Sequence, residues 1–224
     1  MTTATPARRR GVVQWAGLGG VLYVLLFIGG VILAKAGQPD TGDPPGKLIS
    51  YYSDSGHRDK IGFGWLLVLI GVFFFVWFLA ALRQLLRRID ADGLLTTVAT
   101  VGGAAYAATT LVGFSLETAV KTMSDDTYRH QVFPELIHAA DDAGYVIHGG
   151  GGAAIGALMI ASSLAVMRAV LIPRWAGSLG IVFGILAIFS VFFFPTILVA
   201  IWLLVAGFLL FRAPAPEAAR PTMP

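Results

Sequence analysis

The sequence contains no cysteine and few charged residues. The absence of cysteine excludes disulfide bonds, thiolate metal sites and thiol catalysis. Charged residues make up 13% of the 224 residues, whereas they make up about 25% of an ordinary soluble domain. Gly-x-Ser-x-Gly, His-Glu-x-x-His and Walker motifs are also absent, so no enzyme class that carries one of these motifs is indicated.

Hydrophobic residues are abundant and lie in long runs. They make up 56% of the chain, and each run is long enough to cross the hydrocarbon core of a bilayer as a helix. We therefore predict an all-α fold, a polytopic membrane helix bundle with six transmembrane helices in a single domain, residues 12–211. The predicted spans are 12–34, 61–82, 94–120, 145–167, 175–193 and 196–211. Residues 1–11 are predicted to form a cytoplasmic arm and the Pro- and Ala-rich residues 212–224 a disordered cytoplasmic tail.

The first hydrophobic run is consistent with a signal peptide or with a retained helix. It ends in Ala34-Lys35-Ala36, the small-x-small pattern that signal peptidases cleave. However, the apolar stretch from Val12 to Ala34 is 23 residues long, which exceeds the roughly 7 to 15 residues of a signal peptide and is enough to span a bilayer. A retained transmembrane helix is therefore favoured.

The last hydrophobic run, Trp175 to Phe211, is too long for one ordinary span. Pro195 lies at its middle, where it would interrupt the hydrogen bonds of a continuous helix. The run is therefore predicted to fold into a hairpin of two short helices.

Basic residues are unevenly distributed between the two predicted sides of the membrane. Ten lie on the side that carries both termini, and six lie on the other side. Because Lys and Arg are enriched in cytoplasmic loops, both termini are predicted to be cytoplasmic. The basic residues lie in short clusters beside the hydrophobic runs, and these clusters explain the pI of about 9.4. We therefore expect the lipid bilayer, and not nucleic acid, to be a partner. Whether the chain binds a protein partner or forms a homo-oligomer stays open.

Three stretches of the chain resemble a family of small uncharacterised multi-pass membrane proteins that is common in actinobacteria. They are "SYYSDSGHRDKIGFGWLL" with its Tyr-Tyr pair, "VWFLAALRQLLRR", and "VMRAVLIPRWAGSLGIVFGILA" with its Pro-Arg-Trp-x-Gly-x-Leu-Gly stretch. The resemblance implies an integral protein of the bacterial cell membrane with about six helices and an unknown function. It provides no catalytic residues that could be transferred to this chain.

A polar segment, "HAADDAGYVIHGGGG", precedes the fourth predicted span. If the fourth helix begins near Pro134, the polar residues of this segment share one helix face. The face continues as glycines, which would form a groove for another helix. The polar residues are His138, Asp141, Asp142, Tyr145 and His148, and the glycines are Gly149, Gly152 and Gly156.

The third predicted helix offers a matching face that includes Gly113 and Glu117. We therefore predict that the third and fourth helices pack through Gly113 and the groove of Gly149, Gly152 and Gly156. This packing would bring Glu117, the one acidic residue inside a hydrophobic run, close to His148.

Three interpretations of the polar segment stay open. In the first, a hydrogen bond between Glu117 and His148 fixes the register of the two helices. In the second, His138, Asp141, His148 and Glu117 form an outward-facing metal or proton site, since imidazole and carboxylate groups at this spacing can bind a divalent ion. In the third, the same residues line a transport pathway.

No motif in the sequence requires that the protein catalyse a reaction. We therefore predict an integral membrane protein that acts as a non-enzymatic accessory or envelope component, with no cofactor. A small transporter or channel, and a metal-dependent membrane enzyme, are the alternatives.

Overall fold

The computed structural model describes residues 11–40, 42–123, 131–192 and 194–212. These residues form helices joined by short connections, and they contain no strand. The predicted arm and tail lie outside the described residues, apart from Gly11 and Arg212. The helices are α1 (Val12–Gly17), α2 (Gly19–Lys35), α3 (Pro45–Ser53), α4 (Ser55–Ile89), α5 (Leu94–Lys121), α6 (Pro134–Arg168), α7 (Arg174–Ala187) and α8 (Phe194–Arg212), with a short 3₁₀ turn (Ser190–Phe192) before α8.

Five helical segments in the described part of the chain are long and apolar enough to cross a membrane. They are the α1–α2 segment (Val12–Lys35), α4, α5, α6 and α8. The apolar helix α7 has only 14 residues and would extend about 21 Å, which is less than the roughly 30 Å of a bilayer core. The prediction of an all-α multi-pass membrane protein is confirmed, with five candidate spans.

The helices extend beyond the predicted spans. The spans were predicted from hydrophobicity, and the ends of the helices are polar. Helix α4 has 35 residues and begins after Asp54, whose side chain accepts a hydrogen bond from the backbone N–H of His57 at 3.0 Å. Helix α6 also has 35 residues and begins at Pro134, a residue well suited to the first helical position. The polar segment that starts at His138 is therefore helical throughout.

The core of the bundle lies between two closely packed helix pairs. Helix α2 packs along α4, and α5 packs along α6, while α4 also contacts α5. Helices α7 and α8 pack on one side, α7 against α6 and α8 against α1 and α2. Large core side chains that are fully buried are Phe75, Phe78, Leu158, Met159 and Leu203.

The helices α7 and α8 form a hairpin, and α7 runs closely beside α6. A Cβ atom built at Gly156 would lie 2.5 Å from the carbonyl oxygen of Gly184, so the two backbones are in contact. Near the tip of the hairpin, the hydroxyl of Tyr145 donates a hydrogen bond to the carbonyl of Val191. Pro195 lies in the first turn of α8, where its missing N–H breaks no helical hydrogen bond.

Candidate functional site

Four charged side chains meet where α2, α5 and α6 come together. Lys121 donates to Asp141 with an Nζ–Oδ1 distance of 2.5 Å, and Lys35 donates to Glu117 with an Nζ–Oε2 distance of 2.9 Å. The two remaining lysine–carboxylate pairs, Lys35 with Asp141 and Lys121 with Glu117, are each 3.8 Å apart. These four residues form a ring of alternating charge, called the charge cluster below.

The ammonium group of Lys121 is the most deeply buried member of the charge cluster. Its side chain is 2% exposed, whereas that of Lys35 is 46% exposed. Burying a charge is costly unless the charge is paired and hydrogen-bonded. Lys121 meets this requirement because its Nζ also donates to the Oε1 atom of Gln38 at 3.0 Å.

Helix α3, in the connection between α2 and α4, covers the charge cluster. Its Tyr52 is buried together with Leu48, Ile61 and Ile137, and its hydroxyl donates to Gln38 Oε1 at 3.4 Å. Burial, and then the negative charge of Asp141, raise the pKa of Tyr52 well above its usual value, so the phenol stays protonated and remains a donor. Helix α3 therefore closes the cluster at this end of the bundle.

The predicted hydrogen bond between Glu117 and His148 is wrong. The Glu117 carboxylate binds Lys35, and no hydrogen bond joins it to His148 in the described chain. The imidazole instead stacks on Phe27, with ring centroids 5.7 Å apart, and meets the edge of Phe114 at 5.2 Å. The reason is electrostatic, since a carboxylate binds a cationic ammonium more strongly than a neutral ring.

The four candidate metal ligands do not come together. Glu117 and Asp141 meet at the two lysines, His148 lies between aromatic rings, and His138 is half-buried one turn before Asp141. Over the described residues, no three His, Cys, Asp or Glu side chains are grouped as metal ligands. Two ammonium groups within 4 Å of the carboxylates would also repel a divalent cation.

The third and fourth predicted helices, α5 and α6, do pack together, but not through the predicted groove. Gly113 lies against Gly144, with a Cβ atom at Gly113 falling 3.3 Å from the Gly144 carbonyl oxygen. The glycines Gly149, Gly152 and Gly156 instead face α7 and the hairpin tip. A helix as long as α6 has several faces, and a second small-residue face around Gly144 is the one that contacts α5.

A buried pair of tyrosines lies in the core of the bundle and was not predicted. The hydroxyl oxygens of Tyr23 and Tyr106 are 2.7 Å apart, so one hydroxyl donates a hydrogen bond to the other within the apolar core. The pair links α2 to α5, as the salt bridge between Lys35 and Glu117 does. Tyr106 lies within the third predicted span, but nothing in the local sequence marked Tyr23 as its partner.

Comparison with known proteins gives a family but no characterised relative. A family described as "Domain of unknown function (DUF4386)" matches residues 18–213. No curated protein and no solved structure matches the chain. The matched range includes α2 to α8 and all four residues of the charge cluster. This chain, with its bundle of apolar helices, therefore belongs to the DUF4386 family.

Proposed function

We propose that this protein is a non-enzymatic accessory or envelope component of the bacterial cell membrane. The observation that carries this proposal is the closed charge cluster. Each carboxylate has a lysine nitrogen within 3 Å, so neither Asp141 nor Glu117 is available as an unpaired metal ligand or general base. A closed cluster ties α2, α5 and α6 together, which is a structural role.

We also propose six membrane crossings with both termini in the cytoplasm. Three contacts support the hairpin of α7 and α8 as two crossings, the first made by α7 together with the 3₁₀ turn that follows it. Gly177, near the start of α7, packs against Met167 at the end of α6, and the hairpin tip reaches Gly149. At the end of α8, the centroid of the Phe211 ring lies 5.4 Å from that of the Trp15 ring. Helix α8 therefore ends at the same end of the bundle at which α1 begins.

The first segment is proposed to be a retained helix. Tyr23 and Val24 are buried in the core, and Lys35 pairs with Glu117. Cleavage after Ala36 would remove all three groups, so Tyr106 would lose its tyrosine partner and Glu117 would lose the nearer of its two lysines.

Reporter fusions would test the six crossings. Reporters placed after Lys47, Asp90, Asp126, Arg168 and Ala213 should read outside, inside, outside, inside and inside, because α7 and α8 form a hairpin that returns to the cytoplasm. Alkaline phosphatase and green fluorescent protein fusions at each position provide opposite readouts and therefore control for expression. An outside signal after Ala213 would rule out the hairpin as two crossings.

A small transporter is the second candidate, and buried polar groups favour it. Lys121, His148 and the pair of Tyr23 and Tyr106 are buried or largely buried within membrane helices, and such groups often mark transport pathways. However, Phe27, Phe114 and His148 form one group of mutually contacting rings. Phe27 lies between Tyr23 and Lys35 along α2, and Phe114 lies between Tyr106 and Glu117 along α5, so these rings separate the charge cluster from the tyrosine pair. The accessory role is therefore favoured.

The two candidates differ in what the purified protein should do. An accessory component should co-purify with a protein partner in fixed ratio, and liposomes that contain it should show no more proton or potassium flux than empty liposomes. Flux above that background that is lost in Lys121→Ala would support the transporter. A divalent metal retained in stoichiometric amount through purification would contradict both, because it would require ligands that the charge cluster does not offer.

A further inference from the structure

A polar cavity lies at the opposite end of the bundle from the charge cluster. It has a volume of about 520 Å³ and lies where α4 ends and α5 begins. Its main polar side chains are Arg83 and Arg87 of α4 and Thr96, Thr97 and Thr100 of α5. The cavity is thus at the membrane end that holds the short connection between two candidate spans, the depth at which lipid headgroups lie.

The two arginines of the cavity have no carboxylate partner among the residues that the structure describes. Arg83 and Arg87 are one helical turn apart and exposed, and no carboxylate of the described chain lies within 4 Å of either guanidinium. Asp90 also lines the cavity, but its carboxylate accepts a hydrogen bond from the backbone N–H of Thr96 at 2.7 Å. With two cations and one anion, the cavity has a net positive charge.

The hydroxyl of Thr96 is buried behind the wall of the cavity. The residue is 5% exposed, and its Oγ1 atom is shielded from solvent and has no hydrogen-bond partner in the described chain. The hydroxyls of Thr97 and Thr100 each donate to a backbone carbonyl one turn earlier, at 2.8 Å and 2.7 Å. The two guanidinium groups are therefore the free side-chain donors that a ligand in the cavity could reach.

The start of α5 is already capped by the carboxylate of Asp90. Helix α5 has 28 residues and begins after Gly93, which adopts a left-handed conformation with φ of 70°. The first N–H groups of a helix are not used within the helix and carry partial positive charge, and the Asp90 carboxylate accepts a hydrogen bond from that of Thr96. An oxyanion in the cavity would therefore be held by the two guanidinium groups.

We propose that this cavity binds the phosphate group of an anionic phospholipid. A phosphodiester provides negative charge and acceptor oxygens for Arg83 and Arg87. A lipid fits better than free phosphate because apolar side chains next to the polar groups are exposed, Leu94 by 66% and Val101 by 62%. These side chains offer a surface for the acyl chains. The inference does not depend on which side of the membrane this end faces.

Native mass spectrometry of the full-length protein in detergent, titrated with phosphatidylglycerol or phosphatidylcholine, would test the proposal. Phosphatidylglycerol should bind more tightly. Each basic residue near an anionic headgroup strengthens binding by about fivefold, so Arg83→Gln and Arg87→Gln should each weaken it by about fivefold. Arg88→Gln is the matched control, since Arg88 lies on the same turn of α4 and does not line the cavity. It should change binding by less than about twofold.

Thr96→Val is the control for packing behind the cavity. It keeps the shape of the side chain and removes a buried hydroxyl that a ligand cannot reach, so the melting temperature without lipid should rise while binding of phosphatidylglycerol stays unchanged. Equal lipid binding by the wild type, Arg83→Gln and Arg87→Gln would overturn the proposal. Equal affinity for phosphatidylcholine would also overturn it. Inorganic phosphate that displaces phosphatidylglycerol at millimolar concentration would support the anion site and overturn the lipid as its occupant.

Discussion

Replacing Lys121 with alanine should lower the free energy of unfolding by about 3–5 kcal/mol, the cost of removing one partner from a buried ion pair. The side chain is 2% exposed, so water cannot take its place. Its loss would leave Asp141 and Glu117 sharing the single cation Lys35. Reversible unfolding of the purified protein in mixed detergent micelles would measure the change.

A double-mutant cycle and a surface control make this result specific. Lys121→Ala combined with Asp141→Ala should cost less than the sum of the two single changes, because the double variant leaves no buried carboxylate in excess. Lys47→Ala removes an exposed lysine whose Nζ lies 2.7 Å from Asp43, and it should change stability little, since exposed ion pairs contribute little. A loss for Lys121→Ala no larger than that for Lys47→Ala would show that the cluster is not a stabilising element.

Gly152→Ala should also destabilise the protein strongly, by about 1–3 kcal/mol or more. A Cβ atom at this position would overlap the backbone carbonyl oxygen of Ala187. A carbonyl in α7 cannot turn aside as a flexible side chain can, so α6 and α7 would have to separate. Separation would move the hairpin away from the core, and thermal unfolding in detergent would report the loss.

Gly150→Ala is the matched control, because it lies two residues away in the same run of four glycines. No atom lies within 4 Å of a Cβ atom built at Gly150. Replacing an open helical glycine with alanine is expected to leave stability unchanged or to raise it by up to about 1 kcal/mol. If Gly150→Ala and Gly152→Ala behaved alike, the contact with α7 would not explain the glycine.

The positions of the helices could be predicted well from the sequence, but their lengths could not. Long hydrophobic runs identify the segments that need a bilayer, and each of the five long candidate spans contains one of them. Hydrophobicity marks only the part of a helix that contacts lipid. The predicted span 61–82 therefore became a helix of 35 residues, Ser55–Ile89, whose polar ends gave no hydrophobic signal.

Half of the charge cluster could be found from sequence. Glu117 stood out as an acidic residue inside a hydrophobic run, and Asp141 stood out in the polar segment. Their cations were missed because Lys35 and Lys121 lie at the ends of hydrophobic runs, where a lysine is ordinarily explained by the membrane surface. The spacing of four residues between Glu117 and Lys121 was a signal that could have suggested one of the pairs.

The sequence by itself determined that this chain is an all-α multi-pass membrane protein with glycine-lined helix faces and polar groups near one membrane end. These properties depend on the hydrophobicity and spacing of residues that are close together in the chain. The tertiary structure alone decided which groups meet. Lys35 and Glu117 are 82 positions apart, and Gly152 faces Ala187 rather than α5. Helical periodicity defines the face on which a residue lies, whereas its partner depends on how all the helices pack together.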